Sequence, residues 1–393
     1  MRIVVVQSVA SFYSHNKGDG GEIYLHKLLE IWKTMGNEII LITNKDDKGF
    51  STYKIYDRIF TLPTIAERGI GSTTLKLFFN WFSQKKGLRE IISFLQSIGK
   101  YVLIAEAPTI SDVVNSYKIA RASSPYGVYV YFHLVKPFPS FRIIRKINFL
   151  AVFLGWVAHR ISLVACKLFN FIPILNYPET LTDLGWKFKV VLRNKVFIQD
   201  LPTVENNKRE RYLLCFVSRL TKLKGVLDIP KIISIVRNKH DNIRVVIAGE
   251  QPDTQILIKL NKLIEKYSLE DIIEIKNYLS PLEKATLFSK SSVFIFPSYQ
   301  EGWPAVVTEA ATLGCVPVTY DMRAYDFLGT LSVRAKYGDT KDFASKVIQL
   351  IDDWPKLHDA STKLIELMHS SDFYIDNIAI EQLNFFKRVS RIS

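Results

Sequence analysis

The stretch that decides the fold lies at residues 293–318 and reads VFIFPSYQEGWPAVVTEAATLGCVPV. It predicts a strand, a loop, a helix, a turn and a second strand, because apolar runs flank a segment of helical period. Pro304 suits the first turn of that helix, and Gly314 suits the left-handed residue that closes it. This order is typical of a parallel α/β sheet, which binds ligands beyond the carboxyl ends of its strands.

Short runs of the same kind recur along the chain, and segments of helical period separate most of them. The predicted strands are Ile3–Val6, Glu38–Thr43, Tyr101–Ala105, Val128–Phe132, Leu213–Val217, Ile243–Ala248, Ile272–Ile275, Val293–Phe296 and Val316–Thr319. This rhythm predicts an α/β protein with two doubly wound parallel sheets in tandem.

The boundary between the two sheets falls in a polar segment. Residues 199–208 contain a proline, lack apolar periodicity and follow the predicted strand Val196–Ile198. We therefore place the linker there and expect domains at residues 1–200 and 201–371. Residues 372–393 hold a last predicted helix, and packing back on the first domain is one arrangement open to it.

The composition describes a globular, basic protein. Its 393 residues are 48% hydrophobic, and 52 Lys and Arg against 38 Asp and Glu give a net charge of +14. Disordered, collagen-like and disulfide-rich proteins are excluded. Residues 1–200 hold 26 basic and 14 acidic side chains, so most of the excess lies in the first half. The charge favours an anionic partner: a nucleic acid, a phosphorylated metabolite or an acidic membrane surface.

The cysteines and the N-terminus bear on the compartment. Cys166, Cys215 and Cys315 lie in separate apolar runs without CxxC spacing, which indicates a reducing compartment with no disulfide and no zinc. The first apolar stretch is too short for a signal peptide. We expect a cytoplasmic protein.

Residues 138–175 combine basic and apolar character. Arg142, Arg145 and Lys146 precede the apolar run Ile147–Ala158, which is too short to span a bilayer. A helix of this kind lies at a membrane interface, where each basic residue contributes about 1 kcal/mol near anionic lipid, or it is a buried helix of the first domain. We favour membrane contact and expect residues 142–175 to make it. The protein would then be peripheral at the cytoplasmic face of the membrane.

Two carboxylates mark the deciding stretch as a candidate site. Glu301 follows the strand and Glu309 lies on the helix, both in apolar surroundings. Unpaired burial of either would be costly, so each is expected to accept hydrogen bonds. Vicinal hydroxyls of a sugar and a ribose are suitable donors, and neighbouring backbone N–H groups are the alternative.

A second candidate follows the strand Leu213–Val217. Arg219 and Lys224 flank a short loop there. A guanidinium bridges two phosphate oxygens and an ammonium acts as a point charge, so the pair suits a diphosphate, although most basic loops are merely solvated.

Together these stretches resemble the GT-B glycosyltransferases of family 4: Glu-x7-Glu at 301 and 309 follows Phe-Pro-Ser, and Ser-Arg-Leu-x-x-x-Lys-Gly begins at Ser218. The resemblance implies two Rossmann-like domains facing a cleft, and retaining transfer from a nucleotide-sugar without a metal or other cofactor. Retention would proceed by front-face attack or a short-lived ion pair. The implied donor contacts are Glu309 to ribose, Glu301 with Gly302, Trp303 and Pro304 to the sugar, Arg219 and Lys224 to the diphosphate, and Gly249 and Glu250 to the base.

The first domain resembles the family more loosely. Gly20 and Gly21 stand where the family has a glycine-rich loop near the donor phosphates. His133 follows the strand Val128–Phe132, and a family histidine at a similar place lies beside the reacting carbon; a hydrogen-bonded strand-end histidine is the alternative. Glu106 is a candidate for contact with the acceptor.

Departures from the family leave specificity open. Gly302-Trp303-Pro304 stands where Gly-Phe-Gly is common, and Asp321-Met322-Arg323-Ala324 replaces a Gly-Gly. The nucleotide is UDP, GDP or ADP, and the acceptor is a glycan or a lipid-linked, polyprenyl-phosphate type of molecule. The sequence contains no Asp-x-Asp, which argues against a divalent-metal clamp.

Three rival functions remain at this point. A nucleotide-sugar epimerase would share the two domains, and a catalytically silent sugar-nucleotide sensor would share the site. A nucleic-acid-binding protein rests on net charge alone, since no basic stripe with interleaved aromatics and no known module is found. We therefore expect no nucleic-acid partner.

Overall fold

The computed structural model describes residues 1–7, 20–44, 54–62, 85–106, 110–132, 149–175, 181, 185–188, 192–193, 201–202, 204, 208–250, 254–370 and 374–392. The chain divides into two compact units. Each unit has its own parallel sheet and its own apolar core.

The described part of the first unit contains a seven-stranded parallel sheet in the order β3-β2-β1-β4-β5-β6-β7. The strands are β1 (Arg2–Val6), β2 (Glu38–Asn44), β3 (Arg58–Leu62), β4 (Val102–Glu106), β5 (Gly127–Phe132), β6 (Ile172–Leu175) and β7 (Leu192–Arg193). The helices between them are α1 (Gly20–Thr34), α2 (Lys85–Ser97), α3 (Ile110–Ser123) and α4 (Phe149–Leu168). Apolar clusters cover both faces of the sheet, which explains why its strands are nearly continuous apolar runs.

The described part of the second unit contains a six-stranded parallel sheet in the order β10-β9-β8-β11-β12-β13. The strands are β8 (Glu210–Val217), β9 (Arg244–Ala248), β10 (Ile273–Lys276), β11 (Ser291–Phe296), β12 (Val316–Tyr320) and β13 (Val333–Ala335). The helices are α5 (Ile229–Arg237), α6 (Thr254–Lys266), α7 (Pro281–Lys290), α8 (Ala305–Thr312), α9 (Thr340–Asp352) and α10 (Trp354–Met368), with 3-10 turns at Val226–Asp228 and Arg323–Leu331. The two sheets confirm the prediction of two parallel-sheet α/β domains.

The last helix, α11 (Ile375–Ile392), belongs to the first unit. The indole N–H of Trp32 on α1 donates to the carbonyl of Ala379 over 2.8 Å. Phe386 lies edge-on to the Trp32 ring, with 5.6 Å between centroids. The chain therefore leaves the second unit and completes the core of the first.

The strand pattern was largely visible in the sequence. Each predicted strand that falls on described residues is present, with ends shifted by a few residues at most. Four further strands were missed: β3, β6, β7 and β13. β3 begins at a charged residue at the sheet edge, and β7 and β13 are very short, so these three strands show no clear hydrophobic periodicity in the sequence. The predicted strand Val196–Ile198 and most of the predicted linker lie outside the described residues.

Residues 149–175 of the apolar segment 142–175 are described, and they contain a helix and a strand. Its end is β6, a buried strand paired with β5 and β7, so this part is core rather than surface. Its middle is α4, which buries Leu163 and Cys166 but exposes Ile161 and Leu168. Among the described helices, none is long and apolar enough to cross a membrane.

Candidate functional site

Three loops meet at the carboxyl ends of the neighbouring strands β9, β8 and β11 in the second unit. Gly225 has φ +72°, and a Cβ there would lie 1.9 Å from the carbonyl oxygen of Pro297. Gly249 has φ +148°, and a Cβ there would lie 1.8 Å from the carbonyl oxygen of Ser218. Both positions therefore require glycine, because the backbones touch and the dihedrals disfavour any side chain.

Backbone hydrogen bonds hold the same loops together. The amide of Tyr299 donates to the carbonyl of Leu223 over 2.7 Å, which ties the loop after β11 to the loop after β8. The amide of Leu220 donates to the carbonyl of Glu250 over 2.8 Å, which ties the loop after β8 to the loop after β9. The side chains on these loops are thus carried by a rigid edge of the sheet.

Glu301 and Lys224, predicted from separate motifs, are in contact. Lys224 Nζ lies 2.7 Å from Glu301 Oε1, and the Glu301 side chain is only 6% exposed. Ser298 Oγ donates to the same oxygen over 2.6 Å. The Lys224 ammonium also lies 5.5 Å from the centroid of the Phe296 ring. The buried carboxylate is therefore compensated by a cation and a hydroxyl, rather than by the backbone N–H groups considered as the alternative.

Glu309 has a lysine partner of its own. Lys284 Nζ on α7 lies 2.8 Å from Glu309 Oε2, and both side chains are partly exposed. Lys284 was missed in the sequence. The capping box of Ser280 and Glu283 marks the start of α7, but nothing in that local pattern indicates a partner 25 residues away.

The helix α8 begins directly after the loop that carries Glu301. Pro304 is the N-cap residue and makes no side-chain hydrogen bond to the first turn. The Trp303 ring packs against Phe327 with 4.8 Å between centroids, and Gly302 is half-buried beside it. Trp303 and Pro304 are the two residues that stand where the family resembled by the sequence commonly has Phe-Gly.

Arg219 and Glu250 complete the second-unit candidates. Arg219 is exposed at the end of β8, and its guanidinium makes no hydrogen bond or ion pair to any residue that the structure describes. Gly249 and Glu250 are half-buried immediately after β9.

The first-unit candidates are only partly described. Gly20 and Gly21 are the first residues of α1, and Glu106 is the buried last residue of β4. His133 lies outside the described residues. Within the described part of the chain, no group of three or more His, Cys, Asp or Glu is placed to hold a metal ion.

Comparison with known proteins finds similarity both in sequence and in fold. Residues 198–366 match the family Glycosyl transferases group 1. The chain is 25% identical over 162 residues to the capsular polysaccharide biosynthesis glycosyltransferase CapM of Staphylococcus aureus, a match that covers 38% of this chain and 42% of CapM. It is 26% identical over 113 residues to the gpi3 subunit of phosphatidylinositol N-acetylglucosaminyltransferase of Schizosaccharomyces pombe, covering 29% and 24%. The matches thus span less than half of either relative.

A solved structure extends the likeness to both units. HepE of Anabaena in complex with UDP-glucose aligns over 99% of this chain and 100% of HepE, with a TM-score of 0.72 and 13% identity. This shows a shared fold. The chain has the GT-B fold, and its residues 198–366 match the family Glycosyl transferases group 1.

Proposed function

We propose that the protein is a retaining glycosyltransferase of family 4 type. It moves a hexose-type sugar from a nucleotide-sugar to a glycan or a lipid-linked acceptor. The observation that carries this proposal is the joining of Lys224, Glu301 and Ser298 on loops whose close approach requires Gly225. A nucleotide-sugar donor needs a cation to bind its phosphates and a fixed carboxylate to accept hydrogen bonds from its sugar hydroxyls, and this arrangement supplies both.

The donor contacts follow from charge and position. Arg219 and Lys224 bind the diphosphate, the first as a guanidinium that bridges two oxygens and the second as a point charge. Glu301 accepts hydrogen bonds from the sugar, with Gly302, Trp303 and Pro304 forming the wall beside it. The complex that HepE forms with UDP-glucose supports a nucleotide-sugar as the donor.

Glu309 and the loop after β9 serve the nucleoside. Glu309 accepts from the ribose hydroxyls, and its second oxygen keeps Lys284 as a partner. Gly249 and Glu250 contact the base. Arg219 and Lys224 stabilise the leaving diphosphate without a metal ion. Such preorganised charges contribute several kcal/mol to transfer reactions.

The first unit takes the acceptor. Glu106 and His133 are the proposed acceptor-side residues. A capsular polysaccharide enzyme and a phosphatidylinositol-modifying enzyme among the relatives support a glycan or a lipid-linked acceptor.

The acceptor class favours a peripheral location at the cytoplasmic membrane face, and α4 is the proposed contact. Ile161, Val164 and Leu168 are exposed apolar residues spaced along one side of this helix, and Leu168 is 73% exposed. Arg160 and Lys167 flank them, and most of the excess positive charge lies in this half of the chain. An apolar row with basic neighbours suits an anionic lipid surface.

Calorimetry with UDP, GDP and ADP, followed by turnover of the matching nucleotide-hexoses, tests the donor site. Lys224→Met and Glu309→Gln are expected to lose at least about 10-fold in kcat/KM, equivalent to about 1.4 kcal/mol of transition-state stabilisation. Lys222→Met is the matched control, because Lys222 is an exposed lysine on the same loop. The proposal fails if no nucleoside diphosphate binds, or if both variants turn over as fast as the parent. Product anomer analysis tests retention.

Co-sedimentation with vesicles tests the membrane contact. Binding is expected to anionic vesicles at low salt and to weaken in Leu168→Gln. Leu282→Gln is the control, since Leu282 is an exposed leucine of the second unit. Absence of parent binding to anionic vesicles would remove the membrane proposal while leaving the donor site untouched.

A further inference from the structure

Asp228 is a buried carboxylate that the proposed donor contacts do not use. It lies four residues after Lys224, at the end of the 3-10 turn Val226–Asp228, and is 9% exposed. A carboxylate removed from water must be strongly hydrogen-bonded, because its unpaired burial costs several kcal/mol. Its partners therefore report what it holds in place.

Two phenols converge on the same oxygen of Asp228. Tyr299 OH and Tyr320 OH both donate to Oδ2, the second over 2.8 Å. Tyr299 lies in the loop after β11, and Tyr320 is the last residue of β12. Their rings also pack together, with 5.2 Å between centroids. The carboxylate thus joins the loop after β8 to the ends of two other strands.

Tyr299 is held on its backbone as well as through its phenol. Its amide donates to Leu223, and its carbonyl accepts from Tyr337 OH over 2.7 Å. Glu301 follows two residues later in the same loop, with its carboxylate 2.7 Å from Lys224 Nζ. The placement of Glu301 therefore depends on where Tyr299 is anchored.

We propose that Asp228 is a positioning residue, which acts through Tyr299 to hold Glu301 against Lys224 in the geometry that the sugar requires. The inference rests on the proposed function of that pair. Burial, followed by the nearby Asp228 charge, raises the pKa of both Tyr299 and Tyr320 above the ordinary range. Both phenols therefore stay protonated and keep donating throughout the pH range of an activity assay.

The test compares nucleotide binding with sugar transfer in Tyr299→Phe and Asp228→Asn. Phenylalanine keeps the ring but loses the donor, and asparagine keeps the shape and one acceptor oxygen. Displacing a substrate-contacting group by about 1 Å lowers turnover by about 100-fold. We expect kcat with the complete nucleotide-sugar to fall about 10- to 100-fold. The Kd of the free nucleoside diphosphate should stay unchanged, because that ligand has no sugar for Glu301 to contact.

A matched control separates positioning from general stability. Tyr131→Phe removes another buried phenol, which donates to Gln382 in the first unit. It should lower the melting temperature as Tyr299→Phe does, without changing kcat. The double variant Asp228→Asn, Tyr299→Phe should be no slower than the slower single variant, since both substitutions act on Glu301 through the same hydrogen bond from Tyr299 to Asp228.

The outcomes distinguish this inference from the proposed function. If Lys224→Met and Glu309→Gln lose activity while Tyr299→Phe keeps kcat within about twofold at a temperature where it is folded, the positioning role is refuted and the donor site stands. Equal losses of nucleoside-diphosphate binding and kcat would also refute it, since they would indicate a general collapse of the loops. Should Asp228→Asn not fold, Tyr299→Phe carries the test alone.

Discussion

Replacing Gly225 by alanine tests how the donor loops are held together. Gly225 has φ +72°, and its missing Cβ would lie 1.9 Å from the Pro297 carbonyl oxygen. The substitution adds a single methyl group at the point where the loop after β8 meets the loop after β11. It changes no charge and no proposed ligand contact.

Gly225→Ala is expected to lower both the stability of the protein and its rate of turnover. Alanine in the left-handed region costs about 1–2 kcal/mol from its own dihedrals. A real Cβ stays at least 3.0 Å from such an atom, so the two loops must separate by ~1.1 Å in a closely packed interior. That displacement moves Lys224 away from Glu301, and a shift of about 1 Å costs about 100-fold in rate.

The assay is nucleotide-sugar turnover, with thermal unfolding measured in parallel. Gly36→Ala is the matched control: Gly36 has φ +78°, but nothing lies within 4 Å of its missing Cβ. Both variants should lose a few degrees of melting temperature, at about 2–4 °C per kcal/mol for domains of this size. Only Gly225→Ala should lose turnover.

Parental turnover in a folded Gly225→Ala would refute the reasoning, because the loops would then accommodate the methyl group without moving Lys224. Equal loss in Gly36→Ala would refute it as well, since strain alone would then explain the effect.

Three further predictions concern stability. Arg209→Met should lower the free energy of unfolding by about 2–4 kcal/mol in chemical denaturation, because the Arg209 guanidinium donates to the carbonyls of Ser291 and Leu313, which would lose their partner; an unchanged midpoint would contradict this. Trp32→Phe should cost about 1–3 kcal/mol and speed proteolytic release of α11, since it removes the indole donor to Ala379 but keeps the ring; unchanged cleavage rates would count against it. Tyr320→Phe should be less stable than the parent below pH 10.0, and this difference should shrink as the pH rises above 10.0. The reason is that burial raises the pKa of Tyr320, so the stability that its phenol contributes is full below the unfolded pKa of 10.0 and fades as the pH approaches the folded pKa. A difference in stability that persists at higher pH would contradict this.

Much of the fold was predictable because parallel strands leave a strong local signal. The strands of the second unit are buried on both faces, so they read as apolar runs between helical segments. Gly314 shows the same locality: its φ of +72° closes α8 as the sequence predicted. The edge strand β3 was missed, because a charged and partly exposed strand has no such run.

The sequence indicated several residues of the candidate site but not which of them contact one another. Glu301 and Lys224 were chosen from motifs 77 residues apart, and their ion pair was not foreseen. Lys284 and Asp228 were not chosen, because a lysine on a helix and an aspartate after a turn are locally ordinary. Their partners lie on elements distant in the chain: Glu309 on α8 for Lys284, and Tyr299 and Tyr320 for Asp228.

The sequence by itself determined the two parallel α/β sheets, the loops that carry charge and the glycines between them, since each depends on neighbours along the chain. Only the tertiary structure decided which cation meets which carboxylate, that two phenols meet on Asp228, and that α11 completes the core of the first unit. Pairing of this kind depends on strand order and register, which bring together residues that are distant in sequence. Burial then sets its strength, because an ion pair or a phenol–carboxylate bond shielded from water is held far more firmly than one at the surface.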